Sequence, residues 1–171
     1  MAKKANKEVR VGVKGSAKLA CVNTDGSLAW ETPWYHNVIT NIGFQDYICK
    51  GIVNTTGASH ISYMALGTGT NPNVTHVTLP NEISNTAGAV TRNTFSIVVT
   101  DSKTLRLYAT FASGSNSFFS ATGTGIALQN IGLYEHSSSA GGLFSGLTYA
   151  TQAVQSNQQV NATYQLSFAT A

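Results

Sequence analysis

Val90–Thr100 (VTRNTFSIVVT), Asp101–Lys103 (DSK) and Thr104–Phe111 (TLRLYATF) read as strand, turn and strand. Leu105, Leu107, Ala109 and Phe111 occupy every second position of the later arm, and Phe95, Ile97 and Val99 do the same on the earlier one. Successive side chains of an extended chain point to opposite faces, so each set lies on one side of its strand. A three-residue connection folds the arms back on each other, and the two sets then face the core together. The β-branched and aromatic residues in both arms suit a pleated, half-buried surface.

The same period recurs outward from this hairpin. Gln158 to Phe168 alternates strictly through Val160, Ala162, Tyr164, Leu166 and Phe168, while Ile61–Leu66, Ile126–Glu135 and Leu143–Ala150 are short apolar runs bounded by Gly, Ser, Thr and Asn. Near the N-terminus, Lys7–Val13 and Ala17–Val22 read as two strands around a Lys14-Gly15-Ser16 turn, and Asp25-Gly26 is a second turn. One segment breaks the pattern. Phe44, Tyr47, Ile48 and Ile52 fall at helical spacing behind Thr40 or Asn41 as a cap, which predicts a helix over residues 40–51 with that apolar set facing inward. The expected fold is all-β: an antiparallel β-sandwich or jelly-roll-like barrel of about eight strands with one short helix.

At 171 residues with 42% apolar composition, the chain is one domain's worth and can bury a core. Only 10% of residues are charged, so the polar surface must come from hydroxyls and amides. The charge is uneven. Residues 1–18 carry six Lys and Arg against Glu8, net +5, whereas the remainder carries four against six carboxylates, net −2. Residues 1–16 are therefore read as a basic N-terminal arm and residues 17–171 as a single β-sandwich domain. Lys3, Lys4, Lys7 and Arg10 are its candidate partner-binding residues, suited to phosphate or to an acidic protein surface. No apolar stretch has the length of a membrane span, and no apolar run follows the basic start as in a secretory leader. Cys21 and Cys49 have no CxxC spacing and are expected to be buried free thiols of a chain made in a reducing cytoplasm.

Catalytic chemistry finds no footing. Gly67-Thr68-Gly69-Thr70 and Gly123-Thr124-Gly125 have no following Lys and open no helix, so they are read as turn glycines and not phosphate loops. His36, His60, His76 and His136 lack any zinc spacing, and no nucleophile elbow surrounds a serine. Nothing in the sequence brings two of Asp46, Glu82 and Glu135 together as an acid–base pair, and Glu82 and Glu135 are read as partners of Arg92 or Arg106 or as acceptors for loop N–H groups. No catalytic, cofactor or metal residue is assigned. Trp30, Trp34 and Tyr35 cluster beside His36, which suits either a stacking platform for a sugar or base, or a core plug or subunit contact.

Val38-Ile39-Thr40-Asn41-Ile42-Gly43, Tyr63-Met64-Ala65-Leu66-Gly67-Thr68-Gly69-Thr70, Leu79-Pro80-Asn81-Glu82, Ile131-Gly132-Leu133-Tyr134-Glu135, Gly142-Leu143-Phe144-Ser145 and Tyr164-Gln165-Leu166-Ser167-Phe168 follow one another in this order. The succession resembles that in small virion structural proteins of tailed bacteriophages and covers roughly residues 37–168. The resemblance implies a non-enzymatic structural protein present in many copies on the virion, as a capsid decoration (cement) protein or as a tail, fibre or baseplate component. Its partners would be phage capsid or tail proteins and further copies of itself, as trimers or larger rings, with no nucleic acid or membrane. The basic arm would then order on a neighbouring subunit or on the acidic capsid surface. A carbohydrate-binding module using Trp30, Trp34 and Tyr35 on a host surface glycan is the alternative from a different class.

Overall fold

The computed structural model describes residues 11–54, 56–84, 91–112, 125–138 and 140–170. Among these, two antiparallel sheets form, as the alternation predicts, built from eleven strands where about eight were expected. The first contains β1 (Val11–Val22), β2 (Leu28–Glu31), β3 (Tyr35–His36), β7 (Ser96–Asp101), β8 (Thr104–Ala112) and β11 (Gln159–Thr170), in the order β2-β1-β11-β8-β7 with β3 also paired to β1. The second contains β4 (Val38–Ile39), β5 (Tyr63–Gly67), β6 (Arg92–Thr94), β9 (Ile126–Tyr134) and β10 (Leu143–Val154), in the order β4-β10-β9-β5-β6.

β1 and β11 pair without a register break from Val11 opposite Thr170 to Val22 opposite Gln159. Their inward residues Ala17, Leu19, Cys21, Val160, Ala162, Tyr164 and Leu166 are buried, joined by Leu107, Ala109 and Phe111 of β8. Burying a side chain the size of Phe111 or Leu19 contributes about 1.5–3 kcal/mol each, so this face alone supplies much of the folding energy. The expected break at Gly15 does not occur: β1 is one strand, and residues 11–16 of the expected arm belong to it. Gly15 serves a close approach instead of a turn. Its N–H donates to Asn37 Oδ1 at 2.8 Å, and a Cβ would lie 2.3 Å from Asn37 Nδ2. Asn37 is the corner between β3 and β4, where the chain leaves one sheet for the other. Phe95 does the same between β6 and β7 at the opposite edge.

The second sheet is covered on both faces. Ala65, Leu79, Tyr134 and Leu143 form a small apolar layer beneath residues 68–83, separate from the main core. Double coverage explains why β5, β9 and the start of β10 read as continuous apolar runs and not as alternations.

The predicted helix is present over residues 41–52, with Thr40 as its cap: Thr40 Oγ1 accepts from Gly43 N–H at 2.9 Å and donates to the Leu143 carbonyl. Its centre, Gly43–Cys49, is π-helical. The wider turn breaks the three-and-four stacking of an α-helix, so the predicted apolar face is not buried as a set. Tyr47 is buried and Ile48 half-buried, whereas Phe44 and Ile52 are exposed. The β7–β8 hairpin forms, but the expected strand Val90–Thr100 is divided at Phe95 between the two sheets, and Ile97 and Val99 of β7 are 60% and 72% exposed despite sharing the inward face of Leu107 and Leu105. Opposite them stand the helical segment, residues 59–61 and Phe144, across an open space instead of a packed strand.

Gly43 is where the helical segment rests on β10: a Cβ there would lie 2.1 Å from the Phe144 carbonyl oxygen. Gly43→Ala is expected to cost about 1–3 kcal/mol by overpacking. Gly51→Ala, on the same segment with nothing within 4 Å of the added methyl, is expected to stabilise by up to about 1 kcal/mol. Urea midpoints of the two variants check this, and equal shifts would contradict it.

Candidate interaction surface

The space between the β7–β8 hairpin and the helical segment is an open apolar groove of about 590 Å³. One wall is the inward face of the first sheet, with Val13, Leu105, Leu166, Phe168 and Ile97; the other is Tyr47, Ile48, Ile52 and Ile61. Tyr47 anchors the second wall by donating its hydroxyl to the Gly142 carbonyl at 2.6 Å. Ile52 is 79% exposed at the rim, and Phe168, Ile97 and Val99 continue the apolar surface around the hairpin. Val98, on the opposite face of β7, is also exposed. This strand is the outer edge of its sheet among the described residues, so one row of its backbone N–H and C=O groups faces outward. Such a surface gains free energy when another surface covers it.

The structure disperses the residues singled out from the sequence. Trp30 and Tyr35 are half-buried against the core, with Trp30 Nε1 donating to the Ala153 carbonyl at 2.9 Å and the Tyr35 ring tilted on Tyr149 at 6.4 Å. Trp34 is exposed, between Lys18 Nζ and Arg106 at 6.0 and 5.9 Å from its ring. The three rings therefore share no single exposed face. Lys3, Lys4, Lys7 and Arg10 lie outside the described residues, as do Gly123 and Thr124. Cys21 is buried, and burial pushes its thiol pKa up; Cys49, expected to be buried, is exposed on the helical segment, and both are free.

Each carboxylate considered for chemistry has a basic side chain beside it. Asp46 pairs with Lys50 one helical turn on at 2.6 Å, and Glu135 lies 3.4 Å from His136 Nε2. Glu82 and Arg92 form a buried bidentate pair at 2.6 and 3.0 Å. The guanidinium also donates to the carbonyls of His136 and Ala140 and lies 3.5 Å from the centre of the Tyr134 ring. This arrangement ties two loops, those of Glu82 and of His136 and Ala140, to the outer face of the second sheet. The Gly67-Thr68-Gly69-Thr70 stretch is likewise structural: Asn130 Nδ2 donates to the carbonyls of Gly69, Thr70 and Pro80, and a Cβ on Gly69 would lie 2.3 Å from the Pro80 oxygen. No group of three His, Cys, Asp or Glu side chains able to hold a metal occurs among the described residues, and no helix there is long and apolar enough to cross a membrane.

Ile97, Val98 and Val99 are the surface residues that alternation alone missed. Their signal was present: three successive β-branched residues in an uncharged run, which leaves one apolar side chain outward whichever face packs. Compared with protein-family models, characterised proteins and solved structures, the chain matches none.

Removing one member of the buried pair leaves the other charge uncompensated. Arg92→Met should cost about 3–5 kcal/mol in urea unfolding, and adding Glu82→Gln should recover part of that loss. The buried phenols set the alkaline limit. Burial, with the Glu135 charge adding to it, pushes Tyr47 from 10.0 up to about 12, and burial likewise raises Tyr134, Tyr149 and Tyr164. These groups favour the fold while neutral, so their contribution is complete below about pH 10 and falls as pH rises through the folded value. Urea midpoints should hold steady up to about pH 10 and fall by pH 12; a flat profile across that interval contradicts the assignment.

Proposed function

We propose that this chain is a non-enzymatic structural subunit that assembles in many copies on a tailed-phage virion, as a capsid decoration protein, with a tail, fibre or baseplate position as the alternative. The observation that carries the reading is the continuous exposed apolar surface formed by the groove and β7, together with the absorption of Asp46 and Glu82 into ion pairs. A chain with so few charges can cover such a surface in an assembly without stranding ions. The succession of motifs from Val38 to Phe168 supplies the viral context. The basic residues before β1 fit the role of an arm that meets an acidic neighbour, because the long-range attraction of Lys and Arg brings subunits to a surface before apolar contact fixes them.

Sedimentation of the purified chain with particles lacking it tests the proposal. Saturable binding at a fixed number of copies per shell is expected, and binding to isolated tails instead would select the alternative. Deleting residues 2–10, which removes Lys3, Lys4, Lys7 and Arg10 and leaves β1 intact, should weaken low-salt binding about tenfold or more with unchanged circular dichroism. Failure to bind shells and tails alike would overturn the assembly reading.

A further inference from the structure

We propose that β7 is a strand-to-strand contact between two copies of this chain, related by a two-fold axis through Val98. This goes beyond the virion reading and does not depend on it, since the contact forms between free chains in solution. β7 is the longest edge strand among the described residues; the other edges, β2, β4 and β6, have two to four residues. Along Ser96–Val99 it has no proline, no charge and no register break against β8; the ladder shifts only at Thr100, at the end of the strand.

The sequence of that edge chooses the occupant. Ser96-Ile97-Val98-Val99-Thr100 is a chemical palindrome: hydroxyl, β-branched, β-branched, β-branched, hydroxyl. Antiparallel pairing about Val98 sets Ser96 opposite the partner's Thr100, Ile97 opposite the partner's Val99, and Val98 opposite the partner's Val98. Every apolar side chain then meets an apolar one on the same face, and each hydroxyl meets a hydroxyl. A one-residue slip would set hydroxyls against apolar residues and turn Ile97 and Val99 away from each other's face. An isologous contact closes at two copies, which explains how an unprotected edge avoids endless stacking.

Charge does not oppose the contact. The nearest cation on the outer face is Arg106, one strand back opposite Val98. Its Nε donates to Gln165 Oε1 at 2.9 Å and its guanidinium lies beside Trp34, directed away from the edge. On the inner face the pairing covers Ile97 and Val99, so the two apolar grooves meet end to end across the axis.

Light scattering of the purified chain should give twice the 18.0 kDa chain mass. Val98→Lys places two like charges on the axis at a position already 47% exposed, and should return the mass to that of one chain with unchanged circular dichroism. Register is read with a short bismaleimide crosslinker in a Cys49→Ser background. Val98→Cys alone should crosslink efficiently; Ile97→Cys and Val99→Cys should crosslink when mixed and at least several-fold less when separate. A single-chain mass at high micromolar concentration, a trimer, a dimer indifferent to Val98→Lys, or equal crosslinking at all three positions would overturn the proposal.

Discussion

The uninterrupted ladder between β1 and β11 is the constraint on which the rest of the molecule depends. It joins the two ends of the described chain in the middle of the first sheet, and every other strand of that sheet is placed by reference to it. β8 adds to one side of β11 across nine residues, and β7 adds to β8. β7 thus lies three strands from β1, beyond the packed region of the second sheet and with the helical segment as its nearest cover. The exposed edge and the open groove are consequences of one geometry. Among the described residues, the first sheet extends farther than the layer that covers it.

Two features of that covering layer explain why the overhang persists. The helical segment is held at its start, where Thr40 caps it and Gly43 rests on the β10 backbone, and at Tyr47 through the Gly142 carbonyl. The π-helical turns between these anchors leave Ile52 at the rim instead of in the core. On the far side of the second sheet, the Arg92–Glu82 pair and the Asn130 clasp fix the loops that cover it. Buried hydrogen bonds of this kind limit alternative loop placements. Among the described residues, these polar contacts set the shape of the covering layer, and the groove left beside it is apolar.

Much of this was legible from residue spacing. Strict alternation in Gln158–Phe168 and Thr104–Phe111 located the two long strands that carry the core, and the Thr40 cap with Tyr47 located the helical segment. Expectations failed where tertiary contact overrides local pattern. Gly15 looked like a turn because glycine marks turns, yet it is needed where the Asn37 side chain crosses β1. β3 and β4, at two residues each, are too short to show a period and exist only through pairing with β1 and β10. Alternation placed Ile97 and Val99 on the correct face but carried no information about whether a second layer reaches them. The same limit applied to Trp30, Trp34 and Tyr35, which are near neighbours in sequence and separate in environment.

The account centres on β7 as a surface that another strand covers. Hydrogen exchange read by mass spectrometry on the purified chain, at high and at low concentration, tests this most directly. The outward-facing amides of Ser96–Thr100 should be protected at high concentration and lose that protection on dilution, while those of β1 and β11 stay protected throughout. Exchange across β7 that is the same at both concentrations would contradict the account.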